Sequence, residues 1–239
     1  MEGIEPPPSL PARVSQRTGE GNGDCMSIDE VLEIIRAHHI IAIVRLDDLS
    51  TAVALSRALL DGGICALEFT LSNPAAIEAM ADVKAALPEF ERGEAVIGIG
   101  TVLNAGQARA SIAAGAQFIV SPTTNLHTLE VCRQMNVAVM PGAFTPTEIL
   151  AAWEAGASAV KVFPARSVGP SYLKDVREPL PFLRLIPTGG IDRGNVKDYL
   201  KNGAFAVGIG GSLIDKQLVA ARDWAALIDR ARELTQAAL

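Results

Sequence analysis

A lysine stands in the middle of "SAVKVFPA", residues 158–165, between Val160 and Val162 and just ahead of Phe163 and Pro164. The run reads as a buried strand, and an ammonium is among the groups least often found fully buried. Two uses fit Lys161: one half of a structural ion pair, or an amine that forms an imine. An apolar interior disfavours any ammonium, and the neutral amine is the form that attacks a ketone. A second apolar run, "CALEFTL" (65–71), holds the carboxylate of Glu68. Beside such an amine, a carboxylate can move protons during carbinolamine formation, dehydration and C–C cleavage. An ionised glutamate would also favour the ammonium, so the two groups read as a coupled pair.

Glycine pairs supply a third element. "PTGGI" (187–191) places Gly189 and Gly190 at one strand end, and "IGGS" (209–212) places Gly210, Gly211 and Ser212 at another. Turns use Gly-Gly freely, but such pairs at two strand ends let backbone N–H groups converge on an anion. Phosphate is the anion this pattern suggests.

These residues need a frame that brings four segments to one mouth. The chain alternates apolar runs with helical stretches: "IIAIVR" (40–45), "CALEFTL" (65–71), "AVIGIGTV" (95–102), "FIVSP" (118–122), "VAVMPG" (137–142), "AVKVFP" (159–164), "RLIPTG" (184–189) and "AVGIGG" (206–211). Helix starts are marked by Ser27 with Glu30, Asn73-Pro74, Asn104 with Gln107, and Thr145-Pro146-Thr147-Glu148. Eight βα units predict an α/β fold, a single-domain (β/α)8 TIM barrel, whose phosphate sites lie at the ends of strands 7 and 8. A doubly wound open sheet is the alternative; no G-x-G-x-x-G follows the first strand to favour it.

Each even-numbered strand follows a helix-ending glycine: Gly63, Gly115, Gly156 and Gly203. Five residues on lie Glu68, Val120, Lys161 and Gly208. Alternate strands of a barrel fill common interior layers, so this spacing predicts Glu68 and Lys161 inside, with Leu67, Phe69, Val160 and Val162 facing the helices.

Composition narrows the function classes. The 239 residues carry a net charge of −6 with 49% hydrophobic and 20% charged residues, an ordinary globular composition. No basic stripe offsets the acidity, so nucleic acid is not an expected partner. No apolar run approaches the roughly 18 residues of a membrane span. Cys25, Cys65 and Cys132 form no disulfide framework, which points to a reducing, cytoplasmic setting. His38, His39 and His127 lack ligand spacing, so no metal and no cofactor is expected; the His38-His39 pair should end a helix. Residues 1–26, rich in Pro and Gly, are expected to be a disordered extension, and 27–239 to be the barrel domain.

Taken together, "ALEFTL", "GIGTVLN", "FIVSP", "MPGAFTPTE", "VKVFPA", "PTGGI" and "VGIGGS" resemble the 2-keto-3-deoxy-6-phosphogluconate (KDPG) aldolases and their 4-hydroxy-2-oxoglutarate (KHG) relatives. The resemblance runs in order over about residues 27–235. It implies a metal-free class I aldolase, a homotrimer, acting on a phosphorylated keto-deoxy sugar acid to give pyruvate. By position it implies Lys161 as imine former and Glu68 as general acid–base. Arg45 and Thr101 would contact the keto-acid carboxylate, Pro122 and Phe163 would line the pocket, and Thr188 would meet substrate hydroxyls. Gly189, Gly190, Gly210, Gly211 and Ser212 would hold phosphate. Many members carry an arginine four residues after the glutamate; here Ser72 stands there, which leaves Arg45 to carry more of the carboxylate binding. The alternatives are a KHG or 6-phosphogalactonate-type aldolase, a phosphosugar isomerase, or a phosphosugar-binding barrel without catalysis.

Overall fold

The computed structural model describes residues 26–239; the expectation for residues 1–25 lies outside them. Strands and helices alternate: α1 (Ile28–His38), β1 (Ile40–Val44), α2 (Ala52–Asp61), β2 (Ala66–Thr70), α3 (Ala76–Ala86), β3 (Val96–Gly100), α4 (Ala105–Ala113), β4 (Phe118–Val120), α5 (Leu126–Gln134), β5 (Ala138–Met140), β6 (Gly142–Ala143) and α6 (Pro146–Glu154). Then follow β7 (Val160–Val162), a short 3-10 turn (Ala165–Ser167), α7 (Ser171–Arg177), β8 (Leu185–Pro187), α8 (Val196–Lys201), β9 (Val207–Ile209), α9 (Lys216–Ala221) and α10 (Trp224–Ala237). No helix among the described residues is long and apolar enough to cross a membrane.

All strand pairs are parallel, but they fall into two hydrogen-bonded sheets and not one ring. One runs β5-β4-β3-β2-β1-β9, the other β6-β7-β8. The fifth apolar run is split at Pro141, which has no N–H to give a ladder and so interrupts the strand. Its carbonyl still accepts from Lys161 N–H at 2.9 Å. Between β8 and β9 a single bridge, Thr188 to Gly208, spans the other gap.

The strand faces divide as the period-2 pattern requires. Leu67, Phe69, Ile97, Ile99, Val160 and Val162 join the larger apolar cluster with helix residues such as Leu55, Leu59, Met80 and Ile149. Burying one such leucine contributes roughly 1.5–3 kcal/mol, so this layer is the main stabiliser. Ile41, Ala66, Val96, Phe118, Ala138, Ala159, Ile186 and Ala206 form a second cluster inside, together with Val31, Leu32 and Ile35 of α1. Most of these sit at or just before the strand starts, so α1 closes that end and the opposite, C-terminal end is left for a site.

Helix caps follow the sequence signals with one exception. Ser27 and Glu30 form a reciprocal capping box, as do Thr145 and Glu148, and Asn104 caps α4. His39 ends α1 in the left-handed conformation. At Asn73-Pro74, however, the helix starts two residues later, with Ala75 at the cap position. The Asn73 amide is used elsewhere: it donates to the Leu46 and Asp47 carbonyls and ties α3 to the loop after β1.

Candidate active site

Lys161 projects inward because its strand neighbours project outward. Val160 and Val162 are fully buried in the helix-facing layer, which sends the lysine to the interior face, where it is 5% exposed. Its Nζ lies 5.3 Å from the centroid of the half-buried Phe163 ring, a cation–π distance. Glu68 is turned inward by the same parity on β2, in register with Ile43 on one side and Gly98 on the other, and is 2% exposed. Gly100 makes room for it: a Cβ at that position would overlap the Glu68 carboxylate.

The environment of Glu68 sets its protonation. Burial pushes its pKa above the ordinary glutamate range, and the charges of Lys161 and Arg45 pull back less strongly. Its Oε1 is buried without a hydrogen-bond partner among the described residues. A carboxyl of this kind holds a proton at higher pH than usual and can donate it, which is what an acid–base group in an enclosed site requires.

At the mouth lies a cavity of about 380 Å³, lined by Arg45, Lys161, Phe163, Thr188 and both glycine turns. Gly189 and Gly190 take φ values of +96° and +83°, a region where side chains are strained. Thr188 is buried, held by its N–H to the Val162 carbonyl at 3.0 Å, and its Oγ1 would lie 2.5 Å from any Cβ at Gly208. The Gly210 carbonyl accepts from both Leu213 and Ile214 N–H, folding the segment into a tight turn. Among the described residues the N–H groups of Gly190, Gly211 and Ser212 bond to no other backbone group. The Ser212 hydroxyl is spent, donating to the Ile191 carbonyl at 2.5 Å, so its backbone N–H is the group left for a ligand.

Not every expected residue lines this cavity. Glu68 is buried outside its lining, and Thr101 and Pro122, which follow β3 and β4, also lie outside it. Thr101 is held at φ 60°, uncommon for a β-branched residue and the kind of backbone strain that collects at functional sites. Val120, in the same predicted layer as Glu68 and Lys161, faces the interior apolar cluster, and Gly208 lines the cavity.

Three further residues belong to the site: Gly100, Arg166 and Asp192. For Arg166 a signal was in the sequence, a basic residue two positions past a strand-end proline. For Gly100 the alternating "GIG" offered one, a glycine where a side chain would have pointed inward. Asp192 carried none, since an aspartate after Gly-Gly-Ile is ordinary turn chemistry.

The KDPG and KHG aldolase family model matches residues 31–230. A 2-dehydro-3-deoxy-phosphogluconate aldolase of Treponema pallidum is 36% identical over 200 residues, covering 83% of this chain and 91% of that protein. The KDPG aldolase of Legionella pneumophila, solved with pyruvate captured as a covalent carbinolamine intermediate, superposes with a TM-score of 0.78 at 28% identity over 85% of this chain and 97% of its own. A porous cage designed by fusing symmetric oligomeric domains contains a chain that matches at TM-score 0.75 and 30% identity, over 83% of this chain and 71% of that one. With an inward lysine, a buried carboxylate and two glycine turns at one mouth, the chain belongs to the KDPG and KHG aldolase family.

Proposed function

We infer that this chain is a class I aldolase that cleaves 2-dehydro-3-deoxy-6-phosphogluconate to pyruvate and glyceraldehyde 3-phosphate. The observation that carries this is Lys161, a buried amine that lines the cavity and whose charge acts on the buried carboxyl of raised pKa, Glu68. Lys161 Nζ attacks the C2 ketone, and Glu68 gives the proton with which water leaves, producing a protonated imine. That imine is an electron sink. Removal of the C4 hydroxyl proton breaks the C3–C4 bond, and glyceraldehyde 3-phosphate departs from an enamine. Protonation at C3 and hydrolysis release pyruvate and restore the amine.

Arg45 and Thr101 hold the keto-acid carboxylate, Phe163 and Pro122 flank the imine, and Thr188 meets a substrate hydroxyl. The phosphate lies against Gly189, Gly190, Gly210, Gly211 and Ser212. The frame is a closed eight-stranded barrel: only Pro141 separates β5 from β6, and the Thr188–Gly208 bridge spans β8 and β9. The assembly is a homotrimer, supported by the symmetric oligomeric domains of the designed cage and by the exposed Leu103 and Leu126.

Pyruvate with borohydride tests the central claim. One pyruvate-derived adduct on Lys161 with loss of activity is expected; labelling elsewhere, or none, overturns it. Side-by-side cleavage of the phosphorylated gluconate and galactonate acids and of 4-hydroxy-2-oxoglutarate separates this reading from its relatives.

A further inference from the structure

We propose that Arg166 is a specificity-determining residue, a second anion receptor that binds the terminal phosphate of the substrate opposite the carboxylate held by Arg45. This rests on reading the two glycine turns as a phosphate cradle.

Arg166 lies in the 3-10 turn that follows β7, four residues past the end of the strand that carries Lys161. Two contacts fix it to the cradle. Its N–H donates to the Gly189 carbonyl at 2.9 Å, and its stem packs on Gly190, where an added Cβ would stand 2.6 Å from the Arg166 Cβ. Its side chain lines the same cavity as Gly190, Gly211 and Ser212.

The guanidinium is also uncommitted. Among the described residues it forms no ion pair and no side-chain hydrogen bond, whereas nearby cations are engaged: Arg193 with Glu233 at 2.8 Å, and Arg230 with Asp215 at 3.3 Å and the Ser212 carbonyl at 2.8 Å. Arg45, at the end of β1, is the other unpaired guanidinium on this cavity. Two free guanidinium groups on one cavity match a substrate with an anion at each end.

Asp192 sharpens the need. Its carboxylate lines the cavity and accepts one N–H, from Gly194 at 2.7 Å, so it presents negative charge to an incoming dianion. Neutral backbone donors alone would face that repulsion. The Arg166 guanidinium, lining the same cavity, offsets it. Because the phosphate keeps its charge throughout the reaction, Arg166 binds ground and transition states alike and acts chiefly on KM.

The readout is the ratio of kcat/KM for 2-dehydro-3-deoxy-6-phosphogluconate to that for the unphosphorylated 2-dehydro-3-deoxygluconate. In Arg166→Gln the ratio should fall about 10–100-fold, the usual range for a charge-assisted hydrogen bond, mostly through KM of the phosphorylated acid. Arg166→Lys should recover much of it, and pyruvate trapping on Lys161 should report a folded site in both variants. An unchanged ratio, or equal losses on both substrates, overturns the role of Arg166 while leaving the cradle standing. No preference for the phosphorylated acid in the wild type overturns the cradle and Arg166 together.

Discussion

Glu68 joins the chemistry to the stability of the fold. Its folded pKa is raised, chiefly by burial, so the native state binds its proton more tightly than the unfolded chain does. Stability then falls as pH rises, starting near the unfolded value of about 4.3 and levelling off above the folded value. Glu68→Gln removes this cost. The variant should therefore gain stability relative to wild type across that window, read as urea midpoints between pH 4 and 8, while turnover drops roughly 10²–10⁴-fold. A stability gap that stays flat with pH would show that Glu68 is not held in a desolvated place; near-normal turnover would show that another group moves the protons. Gly100→Ala tests the same carboxyl from the side. The added methyl must displace it, and a shift of about 1 Å can cost about 10²-fold in rate. Rate loss with the fold intact is the expected result, and an unaffected kcat would mean that the carboxyl tolerates several positions. Lys161 and Glu68 were legible in the sequence because each breaks an apolar run. Gly100 is marked only by the alternating "GIG" and Asp192 by nothing; what each does follows from its neighbours in the fold, the Glu68 carboxylate for Gly100 and the cavity for Asp192.

At the scale of elements, four βα units end their helices identically. Gly63, Gly115, Gly156 and Gly203 all have φ between 87° and 99°. Behind each, the next N–H returns to a carbonyl five residues back: Ile64 to Leu59, Ala116 to Ser111, Ala157 to Ala152 and Ala204 to Tyr199. This is the Schellman closure, and it sets the count of five residues that delivers Glu68 and Lys161 to the inner face. Gly156 isolates its conformational part, because a Cβ there meets nothing within 4 Å. Gly156→Ala should cost about 1–2 kcal/mol in urea unfolding from backbone strain alone, with kcat/KM kept. A neutral substitution would mean that the turn accepts another conformation. The glycine repeat and the caps at Ser27, Asn104 and Thr145 could be read from local spacing. Asn73 could not: its amide serves the loop after β1, a contact 26 and 27 residues away that no local pattern encodes. The split of the fifth strand was likewise hidden. Pro141 was visible in "VAVMPG", but whether a proline breaks a ladder depends on which side of the strand its missing N–H would have faced.

For the whole molecule, a net charge of −6 makes copies of the chain repel, so assembly requires apolar contact to outweigh it. Leu103 and Leu126 are 52% and 65% exposed, large apolar side chains left in water at the starts of neighbouring helices α4 and α5. They stand close together, since the Asn125 amide donates to the Leu103 carbonyl at 3.4 Å. An apolar pair of this exposure fits a surface covered by another copy. Leu126→Asp puts a charge there while leaving the single chain undisturbed: the side chain buries little within its own fold, and a carboxylate in the first turn of a helix favours the helix dipole. The wild type should sediment as three chains and Leu126→Asp as one of 25.1 kDa. Lys161 and Glu68 sit on strands of the same chain, β7 and β2, so the dissociated variant should still trap pyruvate on Lys161. A variant that remains trimeric removes the leucine pair from the interface, and a monomeric wild type removes the trimer itself. A dissociated variant that no longer traps pyruvate would mean that the neighbouring copy holds the site in shape.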